Sequence, residues 1–217
     1  MPPGAVRWHD AFHPGAGSAM KSRDPWIVVF AGPMLDAPLC ERERFPADMA
    51  PLASAEIALR LALLDAGPGD LALCDGACGG SLLFAEAALA RGMQLELRLP
   101  FNEKRFLREA VAFAGRHWLS RYLRIRGHPR TVAYCLPEQA VPAGGNPFAE
   151  AGQWQLNAAL SHGSDRVWLM TLSEGPNAFD AGSGTAQLVE AMHRYTGQII
   201  AIDAARLLRK TRERRRH

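Results

Sequence analysis

Six short apolar runs, with stretches of helical periodicity between them, restrict this chain to one class of fold. Residues 26–31 (Trp-Ile-Val-Val-Phe-Ala) form a continuous apolar run too brief for a buried helix, 71–74 form a second, 94–99 alternate Leu with polar residues, and these with 131–134, 166–172 and 198–202 read as strands. Residues 50–65, 81–91, 103–124, 150–161 and 184–196 place apolar side chains at helical spacing and read as the crossovers. Strands that alternate with helices pair in parallel, and a parallel sheet needs helices on both faces. The expected architecture is therefore an α/β, Rossmann-like, doubly wound and mostly parallel sheet. In such sheets ligands bind beyond the carboxyl ends of the strands, where strand order reverses.

A length of 217 residues suits one such unit with ragged ends. Residues 1–25 read as a flexible lead rich in Gly and Pro, residues 26–205 as the nucleotide-binding domain, and residues 206–217 as a basic tail. In the tail Arg206, Arg209, Lys210, Arg212, Arg214, Arg215 and Arg216 stand against Glu213 alone, so the overall charge of +3 hides a mildly acidic body. No aromatic residue interleaves with those arginines. The tail reads as a solvated, frayed helix end, and nucleic acid is not the expected partner. No apolar run approaches the ~20 residues of a bilayer span. With no signal-peptide pattern in the first eighteen residues, the expected setting is the cytoplasm, with Cys40, Cys74, Cys78 and Cys135 as reduced thiols. The spacing of Cys74 and Cys78 is not that of a zinc knuckle, so no metal is expected.

Two glycine-rich turns carry the functional signal. Cys74-Asp-Gly-Ala-Cys-Gly-Gly-Ser81 joins a strand to a helix. Gly76, Gly79 and Gly80 there would let backbone approach a ligand, and the helix start at Ser81 attracts anions. A tight turn needing positive φ is the alternative. Asn177-Ala-Phe-Asp-Ala-Gly-Ser-Gly-Thr185 repeats the design, with Gly182, Ser183, Gly184 and Thr185 as donors at a helix start or as simple caps. After the first strand, Gly32 and Asp36 are placed at the crevice, and Arg42 and Arg44 follow in a loop suited to phosphate or carboxylate, or simply to solvent. Glu86, on the helix after the first turn, reads as a ribose ligand, a catalytic acid or base together with Asp36, or a solvent-facing residue. His117, His128, His162 and His193 lack a Ser or Cys partner at any motif spacing. Neither the dinucleotide fingerprint nor the Walker pattern is matched, and no resident cofactor is expected.

The order of residues 30–38 (Phe-Ala-Gly-Pro-Met-Leu-Asp-Ala-Pro), Phe45-Pro46, residues 74–86, Leu99-Pro100-Phe101 and Gly182-Ser-Gly-Thr185 resembles Rossmann-like modules found beside cyclase, TIR or tetratricopeptide segments in bacterial signalling proteins. Those modules are similar to the SLOG superfamily, which includes the Smf proteins and the Lonely Guy phosphoribohydrolases. The resemblance implies binding or sensing of a nucleotide, dinucleotide or ADP-ribose-like molecule, with Gly79, Gly80, Gly182, Gly184 and Thr185 on the phosphate turns. The Lonely Guy pattern P-G-G-x-G-T-x-x-E also carries a Glu used in N-glycosidic cleavage. Here its proline is absent and Leu188 stands at the Glu position, while Glu190 lies about 200° further round the helix. Binding without cleavage is the first expectation and an N-glycosidic hydrolase or transferase the alternative, so enzymatic activity stays open. A third is an interaction protein using the tail, Trp8 and Phe12. The helix over residues 81–91 serves a homodimer seam as readily as core packing.

Overall fold

The computed structural model describes residues 23–38, 40–173 and 184–216. Six strands form one sheet: β1 (Ile27–Ala31), β2 (Leu71–Cys74), β3 (Gln94–Leu99), β4 (Thr131–Cys135), β5 (Val167–Ser173) and β6 (Ile199–Asp203). All neighbours pair in parallel, in the order β4-β3-β2-β1-β5-β6. The fold is the expected Rossmann-like α/β sheet. The chain steps outward from β1 to β4, returns past β1 and continues outward through β5 and β6, so strand order reverses between β1 and β5.

The helices are α1 (Ala50–Leu63), α2 (Gly80–Ala90), α3 (Glu103–Phe106), α4 (Arg116–Arg126), α5 (Pro147–Leu160), α6 (Gly184–Tyr195) and α7 (Ala204–Arg214). Alternation along the strands divides the interior into two cores. Val28 and Phe30 of β1 face the larger core, with Ile57 and Leu61 of α1, Leu82 to Ala85 of α2, Tyr122 of α4 and Leu207 of α7. Ile27 and Val29 face the smaller core, with Leu156 and Ala159 of α5 and Leu188, Ala191 and Met192 of α6. At the lower edge Asp70, fully buried, accepts hydrogen bonds from the N–H groups of Trp26 and Gly67 (2.8 Å each) and from the Arg23 guanidinium (3.0 Å). That carboxylate fixes where β1 and β2 begin. Among the described residues no helix is long and apolar enough to cross a membrane.

Two expectations change. Residues 103–124 are not one helix: α3 passes into a π-turn at Leu107–Val111 and a 3-10 turn at Ala112–Ala114, and α4 starts only after Gly115 at φ 95°. The periodicity runs through the break, but the Ala110 carbonyl accepts a hydrogen bond from the Cys78 N–H (2.9 Å), which holds this segment against the glycine turn. The basic tail is likewise more than a frayed end. It forms most of α7, with Leu207 and Thr211 buried and Arg215 bonded to both Asp48 and Glu43. Smaller shifts occur at α5, which begins at Pro147 because Asn146 caps the Phe148 N–H (3.0 Å).

Candidate functional site

In a parallel sheet every following helix starts at the same edge, so α2, α5, α6 and α7 all direct N-termini toward the carboxyl ends of the strands. Asn146 caps α5 and Asp203 caps α7 through side chains, whereas α2 has no side-chain cap. Around α2 the structure brings together the first glycine turn and the segment that follows β1. Gly32 to Leu35, leaving β1, lies across the turn that leaves β2, with an antiparallel bridge between Met34 and Gly79. The Leu35 N–H donates to the Cys78 carbonyl (3.1 Å), and the Gly80 N–H donates to the Pro33 carbonyl (3.2 Å).

This packing supplies a reason for the glycines that sequence could not. Gly79 has φ 107°, and a Cβ there would sit 2.8 Å from Leu35 N and 2.9 Å from Pro33 O. Both are backbone atoms that cannot swing aside. A Cβ on Gly80 or Gly32 would press on the Phe30 ring, which stacks on Phe84 with centroids 5.0 Å apart. Gly76 lies buried beside Leu97 and Tyr122. The close approach at the first turn is therefore between the β1 loop and the turn itself. Gly184, at the start of α6, lets that helix approach Ala149 of α5, where an added Cβ would meet Cα at 3.1 Å. Thr185 is half-buried in the first turn of α6, while Gly182 and Ser183 lie outside the described residues.

The two candidate catalytic carboxylates have protein partners. Asp36 accepts from the N–H groups of Arg44 and Phe45 (shortest contacts 3.0 Å), and its own N–H donates to the Phe45 carbonyl (3.0 Å). It closes the loop that carries Arg42 and Arg44 and seats buried Phe45 in the core. Glu86 makes a two-pronged ion pair with Arg121 of α4, one contact being Nε to Oε1 at 2.8 Å, and Arg121 also covers the Trp118 ring at 4.3 Å. Ser81 is buried and its hydroxyl bonds Asp75.

Asp75 is the residue that motif reading passed over. It is the first residue after β2, is part-buried, and accepts from the Ala77 N–H at 3.0 Å. Burial raises its carboxyl above the ordinary carboxylate range, against the Ser81 and Ala77 hydrogen bonds that lower it. Its position at a strand end was the available signal in the sequence. Thr171 was also missed. It pairs in register with Ala31 at the reversal of strand order, is fully buried, and its hydroxyl has no partner among the described residues. The flanking thiols serve packing: burial pushes Cys78 up to about 12 and Cys74 higher still. Among the described residues no three His, Cys, Asp or Glu side chains gather as a metal set.

No known family matches the chain, and no curated protein matches it. Among solved structures it is similar to the Moco carrier protein from Chlamydomonas reinhardtii, at 15% identity over 87% of this chain and 99% of that one, with a TM-score of 0.33. The sheet itself defines the fold as Rossmann-like.

Proposed function

We propose that this chain is a binding or sensing module for a nucleotide or nucleotide-derived ligand, of the SLOG type, acting in a cytoplasmic signalling setting. The observation that carries the reading is the reversal of strand order between β1 and β5, with Gly32 to Leu35, Asp75 to Ser81 and the start of α6 on the same edge. Fields from the helix N-termini at that edge favour an anionic ligand, and Gly184 and Thr185 offer α6 backbone and hydroxyl donors. We take residues 26–205 as the binding unit, with the rest of α7 packed into its core through Leu207.

Binding without cleavage is the reading the side chains favour. Glu86 is held by Arg121, Asp36 by its own loop, and Leu188, at the position of the Lonely Guy Glu, faces the smaller core at 5% exposure. Asp75, just after β2 with its carboxyl raised by burial, is the acid we place nearest the ligand.

Thermal denaturation combined with mass spectrometry tests this against nucleoside monophosphates, NAD and ADP-ribose. A ligand at one hundred times its Kd adds about 2.7 kcal/mol, or a rise of roughly 5–10 °C for a chain of this size. Thr185→Val is expected to weaken that shift without changing the unliganded midpoint, and no free base is expected to appear. Released base would establish a hydrolase or transferase instead; no shift with any ligand would reduce the glycine turns to structure.

A further inference from the structure

The arginines of α7 and of the loop after β1 form a second feature that the switch-point reading does not use. Ala204, Ala205, Leu208, Arg209 and Arg212 of α7 face Arg42, Glu43 and Arg44 across a groove of about 240 Å³. The geometry follows from local structure. Leu207 and Thr211 turn one stripe of α7 into the core, which leaves residues 205, 208, 209 and 212 on the adjoining stripe. The facing loop is held by Asp36, which fixes Arg44 at its backbone.

The described lining of the groove is mostly basic. Among the described lining residues four are arginines and one is an acid, Glu43, which is already held by Arg212 (3.2 Å) and by Arg215 (2.8 Å) from outside the groove. These partners lower the Glu43 carboxyl below its ordinary range, so it remains ionised and committed to them. The neighbouring α7 arginines are paired in the same way, Arg206 with Glu56 (3.2 Å) and Arg215 also with Asp48 (2.5 Å). Arg209 is exposed and pairs with no acid among the described residues. The side chain of Asp203 caps the start of α7 by accepting from the Arg206 N–H (2.9 Å), so the positive field comes from the guanidinium groups, not from the helix end.

The geometry points to a binding site for a short phosphate chain, of the kind carried by small oligophosphate molecules, between α7 and the loop of Arg42 to Arg44. Several arginines lining one concavity suit closely spaced phosphates because each guanidinium offers several planar donors to their oxygens. A concave groove favours a compact ligand over an extended nucleic-acid backbone, which would lie along an exposed helix with aromatic stacking partners. Arg42, Arg44, Arg209 and Arg212 all line the concavity, whereas among the described residues no Trp, Tyr or Phe does. None of the described glycine-turn residues lines it, and we place this site apart from the proposed nucleotide crevice.

Calorimetric titration of the full chain with inorganic tripolyphosphate tests the site, because that probe has neither base nor ribose. Binding is expected at low ionic strength and should weaken steadily with added salt. Arg209→Gln is expected to weaken it at least tenfold and Arg42→Gln/Arg209→Gln to abolish it. Arg124→Gln, which removes an equal charge from an exposed position on α4, should leave it unchanged. Equal affinity in the wild type and Arg209→Gln, or equal weakening by Arg124→Gln, would overturn the proposal. Parallel titrations with a single-stranded 20-mer and with anionic phospholipid vesicles complete the test. Tighter binding of either than of tripolyphosphate, lost with Arg209→Gln, would assign the surface to nucleic acid or membrane and likewise overturn it.

Discussion

Replacing Gly79 by alanine separates the two explanations of the first glycine turn. At φ 107° and ψ −133° an L side chain occupies a region that is nearly reserved for glycine, at a cost of roughly 1–3 kcal/mol. The added Cβ would also lie 2.8 Å from Leu35 N and 2.9 Å from Pro33 O, so the β1 loop must retreat. That movement stretches the Leu35 N–H to Cys78 and Gly80 N–H to Pro33 hydrogen bonds, each worth about 1 kcal/mol net. Together these give a destabilisation of roughly 2–5 kcal/mol in the unliganded protein, or a fall of about 1–2 M in the urea midpoint. Gly69→Ala supplies the comparison, since Gly69 also has positive φ, 90°, but an added Cβ meets nothing within 4 Å. It should lose only the backbone component, about 1–2 kcal/mol. If Gly79→Ala unfolds at the same urea concentration as wild type yet loses ligand stabilisation, the glycine serves a ligand and the packing explanation is wrong.

Three further outcomes follow from the same geometry. Because burial raises the folded-state pKa of Asp75, its contribution is most favourable below the ordinary value of 3.8 and is lost as pH rises through the raised value; Asp75→Asn should therefore be more stable than wild type at pH 7, with the gap closing in acid. Urea titrations at pH 7 and pH 3.5 measure this, and a less stable variant at pH 7 would contradict it. Thr171→Val removes a fully buried hydroxyl without a described partner and should stabilise by about 1–2 kcal/mol; a loss of stability would show that the hydroxyl is bonded in solution. In a thiol titration Cys40 should react first, Cys135 more slowly because its thiol is raised by burial, and Cys74 and Cys78 only in denaturant; four equally reactive thiols in the native protein would refute the packing role of the pair.

The amino-acid sequence by itself determined the class of fold. Apolar runs such as Ile27–Ala31 and Leu71–Cys74 are too short for helices and too continuous for a half-exposed sheet, and that local property survives without tertiary context. It also placed the glycine turns at strand ends. What those glycines accommodate was decided only in three dimensions, because the atoms closest to Gly79 belong to Pro33 and Leu35, more than forty residues away. The same holds for Glu86, whose partner Arg121 arrives from another helix, and for Asp36, whose acceptors are satisfied by backbone in a closed loop. Periodicity could not foresee the break before Gly115, since it depends on the Ala110 carbonyl turning toward Cys78. Nor could charge counting distinguish a solvated tail from α7, where Glu43, Asp48 and Glu56 reach the arginines from distant segments and leave Arg209 facing a groove. Hydrophobic pattern is written residue by residue along the chain, whereas the partner of a charge or the neighbour of a glycine is set by which segments the sheet brings together.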